Sequence, residues 1–157
     1  ASAVTANVRS SLTELAPFMP WATPDYDEQS ALAWITGMIE PDEQRFVITL
    51  YGAVVGNCGL GINQPNRIAN LGYWVASAHM GRGIATTATR LLARHGLDDL
   101  GLGRIEIFMS IENHASRRVA ENAGAMYEAT LRNRILLDGR YHDTHVFSFT
   151  PDDRERL

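Results

Sequence analysis

Leu71-Gly72-Tyr73-Trp74-Val75-Ala76-Ser77-Ala78-His79-Met80-Gly81-Arg82-Gly83-Ile84-Ala85-Thr86 is the stretch on which the reading of this chain turns. It opens as an apolar, aromatic strand. It then passes into a segment where Ile84, Ala88, Leu91, Leu92, His95 and Leu97 recur at three- and four-residue steps, the period of an amphipathic helix. Gly81 and Gly83 stand at the junction and allow the backbone a close approach to a ligand. The first turn of a helix leaves its N–H groups unpaired, and the aligned peptide dipoles add roughly half a positive charge there. With Arg82 adding a full charge and the Thr86 hydroxyl a further donor, the turn suits a pyrophosphate.

A dinucleotide-binding turn also places glycines before a helix, but it needs a third glycine and an acidic residue closing the next strand about 20 residues on. Position 86 is Thr and the next strand ends at Met109-Ser110, so that reading is set aside.

Upstream of the turn, apolar residues at helical spacing predict a helix over residues 4–15, and Pro17, Pro20 and Pro24 then impose a rigid aromatic loop around Phe18, Met19 and Trp21. A second helix is expected from the acidic residues at 25–28 through Ala31, Trp34, Ile35 and Met38 to a break at Pro41. Residues 45–51 are β-branched and aromatic, Gly52 marks a turn, and a returning strand runs to Ile62. Residues 63–66 turn again into a strand at 68–75, giving an antiparallel meander of three.

Downstream, the helix after the glycines is expected to reach about Leu100. A strand follows at 104–110, a short helix at 115–123 ending at Gly124, and two strands at 126–137 and 141–149 joined by the hairpin signal Asp138-Gly139. The charged tail from Pro151 is expected to fray.

The chain has 157 residues, 45% of them hydrophobic and 20% charged, which predicts one globular domain over residues 1–157 with a single core. A net charge of -4 argues against a broad nucleic-acid surface, which needs a basic face. No apolar run approaches a membrane span and no basic-then-apolar leader opens the chain, so no membrane partner and a cytoplasmic location are expected. The single cysteine, Cys58, can form neither an internal disulfide nor a cysteine metal cluster and is read as a small buried strand residue. No metal site is expected.

The glycine turn resembles the acetyl-CoA-binding motif of the GNAT superfamily, Gln/Arg-x-x-Gly-x-Gly/Ala, with Gly83 and Ala85 on its two small positions and Met80 in place of Gln or Arg. A second match is Ile111-Glu112-Asn113-His114-Ala115-Ser116-Arg117-Arg118-Val119-Ala120-Glu121-Asn122-Ala123-Gly124-Ala125, similar to the family's Asn-x-x-Ser-x-Arg-Val-x-Glu-x-x-Gly-Phe unit, with Ala125 replacing Phe. With the Asp138-to-Asp143 hairpin the resemblance spans roughly residues 10–150, and it is closest to the ribosomal-protein alanine/serine N-acetyltransferase branch.

The resemblance implies an α+β GNAT fold, a mixed, mostly antiparallel sheet flanked by helices. The family's first strand, which precedes the first helix, is missing here, and the start of the chain is read as truncated or disordered. It also implies acetyl transfer from acetyl-CoA, the cosubstrate, to a primary amine such as a peptide or protein N-terminus, by direct attack in a ternary complex.

By the same resemblance Trp74, Val75 and Ala76 line a strand opening that holds the pantetheine arm, with the Val75 N–H or a neighbour polarising the thioester carbonyl. Met80, Gly81, Arg82, Gly83, Ile84, Ala85 and Thr86 hold the diphosphate. Asn113 is assigned to the pantetheine arm, with an ordinary helix cap as the alternative. Ser116 is the expected catalytic residue, donating a proton to the leaving thiolate, because the tyrosine used by many relatives would fall at Ala120. First-turn polarity is the competing explanation.

A glutamate base found in some relatives would fall at Ile135, which leaves His142, Asp143, His145 or a held water as candidates. For the two histidines a surface or packing role is the alternative. Trp21, His142 and Asp143 are expected to flank the acceptor groove, although Trp21 serves equally as an anchor between helices. Family habit adds a homodimer. Because Met80, Ala120 and Ile135 lack groups found in active relatives, the competing reading is a GNAT-fold module that binds acetyl-CoA or a partner without catalysis.

Overall fold

The computed structural model describes residues 1–38 and 42–157, and the expected break at Pro41 lies outside the described residues. The helix expected over 4–15 is two helices, α1 (Ser2–Arg9) and α2 (Leu12–Leu15). Serine side chains compete with the helical ladder for backbone groups. The Ser10 hydroxyl donates back to the Asn7 carbonyl at 3.1 Å, and the buried Ser11 leaves helical geometry so that its Oγ accepts the Ser77 N–H at 2.9 Å. Helix α3 (Glu28–Ile35) starts on Asp27, whose carboxylate accepts the Ser30 N–H at 2.8 Å.

The strands fall where alternation and turn chemistry put them: β1 (Glu43–Leu50), β2 (Ala53–Asn63), β3 (Ile68–Val75), β4 (Arg104–Ser110), β5 (Met126–Leu137) and β6 (Arg140–Phe149). The two-residue turns Tyr51-Gly52 and Asp138-Gly139 have positive φ throughout, the geometry that matches the twist of a tight hairpin. Helix α4 (Ile84–Arg94) gives way to a π-helical turn over His95–Asp99, so the regular helix is shorter than expected. Helix α5 (His114–Ala123) closes on Gly124 at φ 92°.

One six-stranded sheet results, in the order β1-β2-β3-β4-β6-β5, antiparallel at every pair except β3–β4. This is the mixed, mostly antiparallel architecture expected. Side chains alternate across it. Leu71, Ile105, Ile107, Phe147 and Phe149 face α4 and α5, meeting Leu92, Ala93, Leu97, Ala120 and Ala123, while Trp74 on the opposite face packs with Val4, Val8, Leu15 and Ala31 of α1 to α3.

The tail is not frayed. Thr150 and Asp153 form a capping box that starts a 3-10 helix over Pro151–Arg156, the Arg154 guanidinium pairs with Asp98 at 2.7 Å, and Leu157 packs into the α4/α5 core. Composition marked these residues as solvated, whereas the cap and the final leucine tie them down. None of the described helices is long and apolar enough to cross a membrane.

Candidate functional site

The parallel β3–β4 pairing is brief. Ile68, Ala69 and Asn70 register with Arg104, Ile105 and Glu106, and beyond Asn70 the strands part. The Ala76 N–H donates to the Val55 carbonyl at 2.8 Å, and the β2–β3 ladder runs without a shift. Antiparallel ladders alternate, so even-numbered β3 residues turn their backbone groups toward β2, and Leu71, Tyr73 and Val75 turn theirs into the opening.

Of the three residues expected to line it, Val75 is therefore the one whose N–H faces the gap. Trp74 spends its backbone on β2 and its ring in the α1-to-α3 core. Ala76 spends both backbone groups inside the chain, its carbonyl accepting the His79 N–H at 2.8 Å.

The glycine turn follows directly. Gly81 and Gly83 adopt φ +71° and +75°, a region open to glycine at no steric cost, and a Cβ on either would meet nothing within 4 Å. The first helical bond is Thr87 N–H to the Gly83 carbonyl, and no side chain of the described residues caps α4. The N–H groups of residues 81–86 consequently have no acceptor among the described residues. Met80 is a correction: its N–H donates to the Ser77 carbonyl at 3.2 Å, so the free run begins one residue later than expected. Arg82 is exposed and contacts His79 Nδ1 at 3.3 Å, which sets two basic groups beside six free amides. The arrangement fits a diphosphate.

At the start of α5, Asn113 is the helix cap, its Oδ1 accepting the Ser116 N–H at 3.0 Å, and its amide nitrogen has no partner among the described residues. Ser116 and Tyr73 meet across the gap, with the Tyr73 hydroxyl 3.0 Å from Ser116 Oγ and 3.1 Å from the Ser116 carbonyl oxygen. Desolvation pushes the Tyr73 phenol up to about 12, the hydrogen bond from Ser116 opposing it. Sequence reasoning missed Tyr73. Its alternation with Trp74 put it on the α5 face, but nothing local showed what it would touch.

On the other face of the sheet lie Trp21, Trp74 and His142. Trp21 tilts against Trp74 and Tyr26, with ring centroids 6.0 and 5.7 Å apart, and stays 43% exposed, so it both anchors α3's approach and presents a ring to solvent. His142 Nδ1 lies 3.2 Å from the hydroxyl of the buried Ser110 and 3.7 Å from Glu112 Oε2.

The sheet register places His142, Ser110 and Phe108 on the Trp74 face and His145 on the α5 face, where its ring meets Tyr127 and its Nδ1 meets Thr130 Oγ1 at 2.9 Å. Desolvation lowers the pKa of His145. Asp143, expected to meet substrate, instead accepts the Asn133 N–H at 3.0 Å and pins the β5 irregularity. Ile135 is half-buried and carries no titratable group.

Cys58 is buried, and desolvation with the neighbouring Glu43 raises its thiol to about 11, which leaves it unreactive at neutral pH. Among the described residues no group of His, Cys, Asp and Glu could hold a metal ion.

A family model described as the acetyltransferase (GNAT) domain matches residues 3–126. YdaF of Bacillus subtilis, provisionally named a ribosomal N-acetyltransferase, is 33% identical over 120 residues, which cover 70% of this chain and 66% of that protein. The ribosomal-protein-serine acetyltransferase of Escherichia coli is 30% identical over 106 residues, 67% of this chain and 59% of that protein. The chain thus spans less than two thirds of the length of these curated relatives. Among solved structures, RimJ of Mycobacterium smegmatis in complex with CoA-disulfide aligns with a TM-score of 0.83 at 26% identity, covering 99% of this chain and 82% of that one.

Proposed function

The chain belongs to the GNAT acetyltransferase domain family, and on that premise we propose that it is an N-acetyltransferase moving an acetyl group from acetyl-CoA to a primary amine, the α-amine of a peptide or protein N-terminus. The observation that carries this reading is the run of six amides at residues 81–86 that have no acceptor among the described residues, opening beside the stretch where β3 and β4 separate. A diphosphate on those amides leaves a pantetheine-length arm to follow the gap past Val75 toward Ser116.

Bound acetyl-CoA supplies the thioester carbon that the amine attacks. The chain does the rest. Amides 81–86, Arg82 and the Thr86 hydroxyl hold the diphosphate, and the free amide nitrogen of Asn113 donates to the pantetheine arm. The Val75 N–H stabilises negative charge on the carbonyl oxygen as the carbon–nitrogen bond forms. Ser116 gives its hydroxyl proton to the sulfur as the carbon–sulfur bond breaks and recovers one from solvent.

Across the sheet His142 takes the proton that the amine loses. With Nδ1 turned to Ser110 and Glu112, its Nε2 is the acceptor, and the exposed Trp21 ring lines the approach. A cytoplasmic setting accompanies this reading and keeps the Cys58 thiol reduced.

The test is thiol release from acetyl-CoA in the presence of peptides with free N-terminal Ser or Ala and of polyamines. Release with the peptides, cut at least tenfold in turnover by Ser116→Ala with acetyl-CoA affinity retained, is the expected result. Tight acetyl-CoA binding with no release from any amine supports the non-catalytic module instead.

A further inference from the structure

The Tyr73 hydroxyl has one proton and two oxygens of Ser116 within reach, at 3.1 Å for the carbonyl and 3.0 Å for Oγ. A carbonyl oxygen brings no proton to a hydrogen bond. Tyr73 therefore donates to the Ser116 carbonyl, and Ser116 Oγ donates its own proton to the Tyr73 oxygen. With Asn113 Oδ1 accepting the Ser116 N–H, every polar group of Ser116 is engaged, from two elements on opposite sides of the gap.

We propose that Tyr73 is a positioning residue for acyl transfer, its phenol fixing the side-chain rotamer of Ser116 at the mouth of the β3–β4 gap. The inference rests on the reading of Ser116 as proton donor. The pair can release that proton without stranding a buried group. When the serine O–H swings toward a ligand sulfur, the phenol keeps its bond to the carbonyl, so Oγ alone changes partner. The phenol, raised to about 12, stays a protonated donor throughout the neutral range. The Tyr73 ring also packs against the core shared by β3, α4 and α5, which holds the hydroxyl in place from behind.

The test uses Tyr73→Phe, Ser116→Ala and the double variant of the full chain. Melting temperature and CoA affinity, close to the parent in Tyr73→Phe, report that the fold is kept. The first readout is independent of turnover: the Ser116 χ1 angle, from side-chain coupling constants with CoA bound, is single in the parent and averaged over rotamers in Tyr73→Phe. An unchanged χ1 overturns the role of Tyr73 and leaves the Ser116 reading standing.

The second readout is turnover with an octapeptide carrying a free N-terminal Ser. Tyr73→Phe lowers it roughly tenfold at unchanged acetyl-CoA KM, the scale of one or two lost hydrogen bonds, and costs nothing further in the Ser116→Ala background. An equal loss in both backgrounds overturns the proposal, because Tyr73 would then act without Ser116. Turnover unaffected by either single variant removes the proton-donor reading and this inference with it.

Discussion

Ser11 Oγ accepts the backbone N–H of Ser77 at 2.9 Å, across 66 positions of sequence, and Ser77 Oγ in turn donates to Glu14 Oε2 at 2.6 Å. This contact breaks the first helix and clamps the segment between β3 and the glycine turn onto α1 and α2. Ser11→Ala removes the acceptor of the N–H of half-buried Ser77, which is expected to cost about 0.5–1.5 kcal/mol. Urea unfolding checks it, and a loss below a few tenths of that range would show that water replaces the hydroxyl.

Gly56 holds β2 against β3 where the sheet opens. A Cβ there would lie 2.2 Å from the Trp74 carbonyl oxygen and 2.9 Å from Val75 Cα, both backbone atoms that cannot step aside alone. Gly56→Ala is expected to cost about 1–3 kcal/mol and to displace Val75, weakening acetyl-CoA turnover more than CoA binding at the distant diphosphate end. Calorimetric unfolding together with turnover at saturating acetyl-CoA measures both effects. Parental values of each would show that the strands absorb the methyl group.

Glu128 joins β5 to β4 and β6. Arg104 Nη1 donates to its Oε1 at 2.7 Å and the Ser148 hydroxyl at 2.6 Å, and these bonds, Arg104's foremost, pull its carboxyl from the ordinary 4.5 to about 2. A carboxyl depressed on folding adds stability that is complete above its unfolded value and drains away as pH falls toward its folded value. The window therefore runs from about pH 4.5 down to about pH 2. With 36% of the side chain exposed, solvent screening reduces the contribution to about 1 kcal/mol. Glu128→Gln is expected to be less stable than the parent by that amount at pH 7 and indistinguishable at pH 2. A gap that stays constant across the window would assign the loss to packing instead.

His142 is the proposed general base; it lies on the Trp74 face of the sheet, while His145 lies on the α5 face and Asp143 accepts the Asn133 N–H. His142→Asn is expected to lower turnover at neutral pH by roughly a hundredfold, in the range of general-base removal, with acetyl-CoA affinity retained. Turnover within a few-fold of the parent would move the base elsewhere.

What could be read in the sequence was local. The alternation in β1 to β4, the Asp138-Gly139 turn and the glycines before Ile84 each act over a few residues, and each element lies where its own chemistry puts it. What could not be read depends on contacts between distant positions. The helix break needs Ser77 to give Ser11 a partner, the anchored tail needs Asp98 and the core to receive Arg154 and Leu157, and the role of Asp143 needs the β5 irregularity at Asn133. The same holds for the site. The free amides were legible because a helix start exposes them by construction, apart from Met80, whose amide a tight turn consumes. Tyr73 was not legible, because Ser116 lies 43 residues away and no periodicity links them.

The proposed chemistry depends on the amides of residues 81–86 holding the diphosphate of coenzyme A. The most direct measurement is a titration of the 15N-labelled protein with CoA, following backbone amide resonances, alongside Gly83→Val. The resonances of Gly81, Arg82, Gly83, Ile84, Ala85 and Thr86 are expected to shift together downfield and to saturate with that of Val75. Gly83→Val, which forces a branched side chain into φ +75°, is expected to weaken CoA binding at least tenfold. Saturable CoA binding that leaves those six amides unmoved would place the diphosphate elsewhere.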